Sequence, residues 1–531
     1  MRIDKVYISH FKNLSEFNID LDEDHLYTVL LGRNASGKSN FMEALIIIFR
    51  DLIADNLPQF EYKIDYECSG HIIQVTSLPS KKSKKSKNKK TLTYQFIVDN
   101  ENTTKVSFRE NRNLYLPRNV FAYYSGVNNR FEGLFHESRK KFLSQLLNEE
   151  INIEDDLRPM FLATTEYGFL VLLSFLLVDS EEGSKFLKDY LGIEELYSIL
   201  FKLKKPDWAT QKRPGGDKRF WYAKGVVANL LSSMYELALA PIKDTELLSH
   251  DYKTSSKTEL LYLFFPTLDK LRELASIYGK PIDFFKILES LKVSDLVEDI
   301  RADIKKRGVN TKITFKDLSE GEQQLLTVFG LLKFTMEEES LILLDEPDTH
   351  LNPYWKWQYI KLIEDVVKKP DKSHLIMSTH DPLVIGGLER EQIRVFYRNP
   401  DDNKIATFPP DFSPKGMSVD GILTNDFFGL PTTLDKGTQI DLDRKRELQA
   451  KGKNKKLTKK EKKELEGLIQ DLQELGFSRT TRDPLYSKFL ERIAQIEVFK
   501  DSTKSLSKEE IDDQEKLIDD ILNEIIKEEK G

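Results

Sequence analysis

The sequence predicts an α/β fold, and three observations carry that prediction. An apolar run at 27–31 enters the glycine-rich stretch Gly32–Ser39 and leaves it as a helical pattern, with Phe41, Ala44, Leu45 and Ile48 on one face. A second apolar run, Ser340–Leu344, ends in the carboxylates Asp345 and Glu346. A third, His374–Thr379, ends at His380. Short apolar runs set between helical segments are the mark of buried parallel strands. Ligands of such sheets bind at the carboxyl ends of the strands, where all three polar groups fall.

Composition bounds the rest. The 531 residues are 40% hydrophobic, with 32 Phe and 20 Tyr, which excludes wholesale disorder. The length suggests roughly two to four domains. With 80 basic and 87 acidic residues the net charge is −7, which argues against generic polyanion binding but leaves local basic patches open. Cys68 is the only cysteine, so an intramolecular disulfide framework and a multi-cysteine zinc or iron–sulfur site are excluded. The longest apolar stretch, Phe169–Val178, is broken by Ser174 and is about half of what a bilayer-crossing helix needs. The opening MRIDKVYISHFKNL alternates and is charged, unlike a signal peptide. The expectation is a soluble, cytoplasmic protein with no membrane partner.

Along the chain, residues 1–130 read as a first lobe of strands, with Val6 and Ile8 at sheet spacing. Residues 81–90, KKSKKSKNKK, lie between two strand patterns and read either as a solvated hairpin tip or as a contact to nucleic-acid phosphates. Residues 131–310 read as a helical insertion, with Phe142, Leu143, Leu146 and Leu147, and later Leu260–Leu274, on amphipathic faces interrupted by Pro266. No sustained heptad repeat is present. Within the insertion, 202–222 mixes Lys and Arg with Trp208, Phe220, Trp221 and Tyr222. Such a segment either stacks bases or anchors a loop in the core by its aromatic rings. Residues 311–400 return to α/β patterning as the second lobe. Residues 401–531 become loop-rich and then helical and charged, with eleven basic residues in 444–463 and ten acidic ones in 509–531. The narrow stripe Leu506, Ile511, Ile518, Ile521 and Leu522 suggests a docking helix.

The motifs specify chemistry. Gly32–Ser39 is a full G-x-x-x-x-G-K-S phosphate loop between a strand and a helix. Its glycines let backbone N–H groups close round phosphates at a helix N-terminus. Asn34, Ala35, Ser36, Gly37 and Asn40 complete the nucleotide-contacting set. Lys38 reaches the β- and γ-phosphates of ATP, and the Ser39 hydroxyl is a ligand for Mg²⁺. Asp345 is the second Mg²⁺ ligand, and Glu346 is placed to polarise the attacking water. Asp441 and Asp443 form a D-x-D, but on a charged helix start rather than a strand end, so no two-metal nuclease is expected in this chain.

The order of phosphate loop, Leu318-Ser319-Glu320-Gly321-Glu322-Gln323-Gln324, the Asp345–Glu346 strand and His380 resembles the ATP-binding-cassette ATPases. The likeness is to their SMC- and RecF-like branch, and it covers about 1–130 and 311–396. The resemblance implies an ABC-type P-loop nucleotide-binding domain. It makes His380 the switch histidine and puts Asp348–Pro353 at the D-loop position. Ser319, Gly321 and Gln323 would face the γ-phosphate held by a second protomer, giving a homodimer through an ATP sandwich and room for higher oligomers. One departure stands out: the branch carries a Gln after a strand between loop and signature. Here that place holds Phe121–Asn129, leaving Asn128 or Asn129 as substitutes.

The short insertion, the Tyr123-Tyr124-Ser125-Gly126 segment and Met417–Gly429 resemble stand-alone ATPases of bacterial anti-phage systems, of the Septu type and of those encoded beside retrons. That likeness implies a sensor or regulatory subunit. Its partner would be a separately encoded effector nuclease of HNH type, or a reverse transcriptase with its nucleic acid. The alternative within the branch is a RecF-like repair ATPase that clamps DNA. A transporter's ATPase subunit is disfavoured by the helical insertion and by the N-terminal strand pattern.

Overall fold

The computed structural model describes residues 1–21, 25–80, 92–126, 128, 130–148, 159–178, 181–210, 215–249, 255–335, 339–366, 372–400, 402–454, 456–475 and scattered positions between 489 and 525. The lysine-rich 81–90, Asn129 and most of the expected C-terminal docking helix lie outside the described residues. Two compact units emerge, Met1–Pro409 and Pro410–Gly531.

The chain opens with β1 (Arg2–Phe11) and β2 (Leu14–Asp20), then β3 (Tyr27–Gly32) and the helix Lys38–Ile53. There follow β4 (Tyr62–Cys68), β5 (His71–Pro79), β6 (Leu92–Val98), β7 (Glu101–Thr103), β8 (Asn119–Tyr124) and β9 (Met160–Ala163). The next strands are β10 (Ile193–Lys204), β11 (Ile242–Ser249), β12 (Ser255–Phe265), β13 (Val297–Lys306) and β14 (Ile313–Thr314). The last four are β15 (Ser340–Asp345), β16 (Ser373–Ser378), β17 (Ile393–Arg398) and β18 (Ile405–Phe408).

Three sheets result. β2-β1-β4-β5-β6-β7 is antiparallel, and β18-β17-β3-β16-β15-β8-β9 is parallel except for the edge strand β18. The helix Lys38–Ile53 shares one core with both. Phe41, Met42, Leu45, Ile46 and Phe49 are all buried, as an apolar surface on every side of a helix requires. His374 of β16 stitches the layers together. Its Nδ1 accepts the Ile3 N–H of β1 at 3.1 Å, and its Nε2 lies 3.1 Å from Thr28 Oγ1 of β3. Burial pushes its imidazole well below the usual histidine range, so the ring stays neutral and bridges as donor and acceptor.

The expectation of a helical insertion needs correction. Between 131 and 310 the helices share the space with the antiparallel sheet β11-β12-β10-β13-β14. Leu261, Leu263 and Phe265, inside the stretch 260–274 read as helical, alternate along β12: they are buried, while Phe264 is 39% exposed. Residues 255–265 pair on both sides, with β11 and with β10, and that pairing overrides the ambiguous leucine spacing. Pro266 follows the strand and closes it. The second lobe also runs past 400, because β18 adds antiparallel to β17 through Val395↔Phe408.

Phe169–Val178 falls largely within a buried helix, Thr165–Leu177, packed on the signature helix Glu320–Thr335. Glycines permit the close approach: a Cβ on Gly168 would stand 2.4 Å from Thr327 Oγ1, and one on Gly330 2.3 Å from Val171 Cγ1. No helix among the described residues is long and apolar enough to cross a membrane.

Candidate functional site

Register brings the predicted groups together. In the parallel sheet Asp345 lies opposite Ser378 on one side and Tyr124 on the other, and Ser378 lies opposite Leu30. The carboxyl ends of β3, β16, β15 and β8 therefore form one edge. From that edge project the phosphate loop, Ser378-Thr379-His380, Asp345-Glu346 and Tyr124-Ser125.

The loop is shaped by residues with left-handed backbone. Gly32 has φ +139° and Gly37 φ +103°, and a Cβ on Gly32 would lie 2.3 Å from Phe396 O. Lys38 is 5% exposed and folds back over the loop, with Nζ donating to Gly32 O at 2.7 Å. Burial lowers its ammonium to about 8, against the opposing pull of Glu346 and Asp345. Asp345 is 2% exposed and accepts a hydrogen bond from the Ser378 hydroxyl on Oδ1, while its Oδ2 has no hydrogen-bond partner. Burial raises its carboxyl, and the Ser378 and Ser39 hydroxyls oppose the rise. A buried acceptor left open beside the Ser39 hydroxyl is an oxygen pair suited to a hard divalent cation.

Glu346 sits at φ 52°, an uncommon backbone region for a side chain of this size. Its N–H donates to Ser378 O (3.2 Å) and Ser378 Oγ (3.1 Å), and its carbonyl accepts from Thr349 Oγ1 (2.8 Å). Those bonds hold the conformation that turns the side chain to His380, whose Nε2 lies 3.0 Å from Glu346 Oε1. The His380 contact holds the Glu346 carboxyl below the usual range. Behind them, Thr379 Oγ1 donates to the buried Asp348 at 2.9 Å. Burial pushes that carboxyl up to about 6.

The signature segment starts the helix Glu320–Thr335. Ser319 and Glu322 cap it reciprocally: the Glu322 N–H donates to Ser319 Oγ (3.3 Å) and the Ser319 N–H to Glu322 Oε2 (3.0 Å). Gly321 meets the D-loop closely, since a Cβ there would stand 2.8 Å from His350 O. Gln323, which the resemblance places in the facing set, directs its amide to Leu318 O (2.9 Å) and Phe315 O (3.3 Å). Among the described residues no hydrogen bond joins Ser319 or Gly321 to the phosphate loop of the same chain.

Sequence reading missed Ser378, whose hydroxyl donates to the Asp345 carboxylate and, with its carbonyl, accepts the Glu346 backbone N–H; its position at a strand end was the available signal. It also missed Arg130. In the loop after β8, Asn128 offers its carbonyl to the Arg130 N–H. Arg130 then donates to Glu43 Oε2 (2.9 Å) and to Asn40 Oδ1, on the first turns of the phosphate-loop helix. Asn40, expected at the nucleotide, is held by Asn13 and Arg130. Asp441 and Asp443 lie on the helix Lys436–Asn454, and the described residues hold no cluster of metal-binding side chains. In 202–222, Phe220 and Trp221 are buried, and the Trp208 Nε1–H donates to Ser294 O at 2.7 Å, so these rings anchor the loop.

Two family models match parts of the chain. Residues 1–166 match the family model described as AAA ATPase domain. Residues 232–386 match an AAA-domain model described with the AbiEii toxin of Type IV TA systems. The Septu protein PtuA of Bacillus mycoides is 28% identical over 201 residues, 36% of this chain and 28% of that protein. The Retron Vc95 probable ATPase of Vibrio cholerae is 27% identical over 124 residues, 21% of this chain and 23% of that protein. The chain thus spans about a quarter of the length of the curated relatives it matches. The SMC head domain from Thermotoga maritima overlays 77% of this chain and 99% of that one, at 12% identity and a TM-score of 0.31. The chain is thus similar to AAA ATPase domains over two separate segments, and in part to the Septu PtuA protein and the retron ATPase.

Proposed function

We propose that the chain binds and hydrolyses ATP with Mg²⁺, that two protomers close on the nucleotides head to tail, and that this assembly controls a separately encoded effector of an anti-phage system. The observation that carries the reading is the convergence of Lys38, Ser39, Asp345, Glu346 and His380 on one sheet edge, with Glu346 and His380 3.0 Å apart. Ser39 and Asp345 Oδ2 would hold the Mg²⁺, which when bound offsets phosphate charge. Lys38 leaves the Gly32 carbonyl for the phosphates. Glu346, kept ionised, presents one carboxylate oxygen to His380 and has the other to accept a proton from the attacking water. Ser319 and Gly321, with no bond to their own loop, are available to a facing protomer. The names of the Septu and retron relatives support the effector-control reading.

The test is Glu346→Gln protein, tagged and expressed with its neighbouring genes. ATP should roughly double its mass by light scattering, and an effector nuclease or a reverse transcriptase with its nucleic acid should co-purify. A monomer that turns over ATP normally removes Glu346 from its role. Random DNA alone, lost at moderate salt, supports a RecF-like clamp instead.

A further inference from the structure

Arg130 reaches from the loop after β8 to the first turns of the helix Lys38–Ile53. Its Nε donates to Glu43 Oε2 at 2.9 Å, and its Nη2 donates to Asn40 Oδ1. The first contact has an ordinary explanation, because Glu43 is buried and a buried carboxylate needs a cation. Glu43 already has one: Lys12 Nζ stands 2.6 Å from each of its carboxylate oxygens. A second cation is more than Glu43 requires, and the other arm of the guanidinium needs its own account.

That arm starts a chain of hydrogen bonds. An arginine only donates, so Asn40 turns its amide oxygen to Arg130 and keeps its amide N–H for another acceptor. Asn40 Nδ2 donates to Asn13 Oδ1, which orients Asn13 in turn. Asn13 Nδ2 then donates to the Ala35 carbonyl at 3.2 Å. Ala35 lies inside the phosphate loop at φ +63°, a left-handed conformation that a residue with a Cβ keeps only where its surroundings hold it. Asn13 also lies close to Gly37, where a Cβ would stand 3.5 Å from Asn13 Oδ1. The chain thus ends at backbone whose N–H groups are of the kind that cradle a phosphate. The guanidinium also faces the carboxylate edge: burial raises the Asp345 carboxyl, and the Arg130 charge is among the groups that oppose the rise.

We propose that Arg130 is a positioning residue for the nucleotide, holding the Ala35 carbonyl through Asn40 and Asn13 and so keeping the phosphate loop in its phosphate-binding shape. The inference rests on the nucleotide-binding reading above. It ties the loop after β8 to the phosphate loop, and it makes Arg130 act on binding rather than on the chemical step. ATP and ADP need the same loop shape, so both feel its loss.

The test is a double-mutant cycle on nucleotide affinity, measured by calorimetry on the full chain. Arg130→Ala and Asn13→Ala should each weaken ATP by about tenfold. The double variant should be no weaker than either single one, because both cut the same chain. ADP should weaken equally, and kcat should stay within about threefold while KM rises, since the loop shape serves ground state and transition state alike. A merely structural role would lower the urea midpoint and leave the affinity of the folded protein unchanged. If Arg130→Ala does not fold by circular dichroism, Arg130→Lys takes its place in the cycle; a lysine keeps the charge beside Glu43 and lacks the planar two-armed fork. Unchanged ATP affinity in the single variants, losses that multiply to about a hundredfold in the double, or a loss confined to ATP overturns the relay. A parent chain that binds no nucleotide overturns the reading beneath it as well.

Discussion

The parallel sheet and the antiparallel sheet of the insertion both carry many charged side chains, and they treat them in opposite ways. In the insertion the charges pair: Lys202 with Glu246 at 2.8 Å, Lys205 with Glu259 at 2.7 Å, Arg219 with Asp217 at 2.8 Å, and Lys204 with Asp295 and Glu298. At the carboxyl edge of the parallel sheet, Asp345 Oδ2, Asp348 Oδ1 and Ser36 Oγ are buried with no partner, and Lys38 leans on its own loop. Pairing at half-exposed positions contributes little stability and asks for nothing further. Unpaired burial is costly, and it persists where a ligand completes the set. The difference separates the region proposed to bind nucleotide from the region that frames it, although both are rich in polar residues.

The largest expected effect probes the edge directly. Glu346→Gln should lower steady-state ATP turnover by about 10²–10⁴-fold, the usual share of a positioned base, while nucleotide binding persists. Turnover within a few-fold of the parent chain would break the comparison. The pH dependence of ATP affinity comes next. Free Lys38 loses its proton near pH 8, and bound phosphate favours its charged form. Affinity should therefore hold below about pH 8 and fall by up to about tenfold per unit above it, with a proton taken up on binding. Calorimetry in two buffers of different ionisation enthalpy counts that proton.

His380→Ala should have a smaller effect, roughly tenfold on turnover. Its diagnostic is the acid limb of the pH–rate profile. Without the His380 contact the Glu346 carboxyl rises, so the limb moves to higher pH. An unmoved limb would assign His380 a purely structural part. Gly321→Ala should cost about 1–3 kcal/mol in urea unfolding, because the new methyl meets His350 O. The smallest effect belongs to the insertion. Lys202→Ala should cost no more than about 1 kcal/mol, as half-exposed ion pairs do, and leave ATP turnover unchanged. A lost ATPase there would show that the framing sheet feeds the edge.

The phosphate loop, the Asp345–Glu346 strand and His380 were legible in the sequence because each is a local pattern: glycines at fixed offsets, or an apolar strand ending in a charge. The insertion sheet was not legible. Residues 260–265 are apolar at spacings that suit either period, and only pairing with β10 and β11 decides between them. Trp208 and Trp221 show the same limit, because the Trp208 bond to Ser294 O and the burial of Trp221 turn an apparent base-stacking set into anchors.

By itself, then, the sequence determined the phosphate-loop pattern and the strand–loop–helix that holds it, since backbone conformation at Gly32 and Gly37 is a property of the residues there. Only the tertiary structure decided the rest. It aligned four strand ends so that Ser378 reaches both Asp345 and Glu346, and it led Arg130 to Glu43 and Asn40 across 87 and 90 residues of chain. Those outcomes depend on which distant surfaces pack together, and no local spacing encodes them.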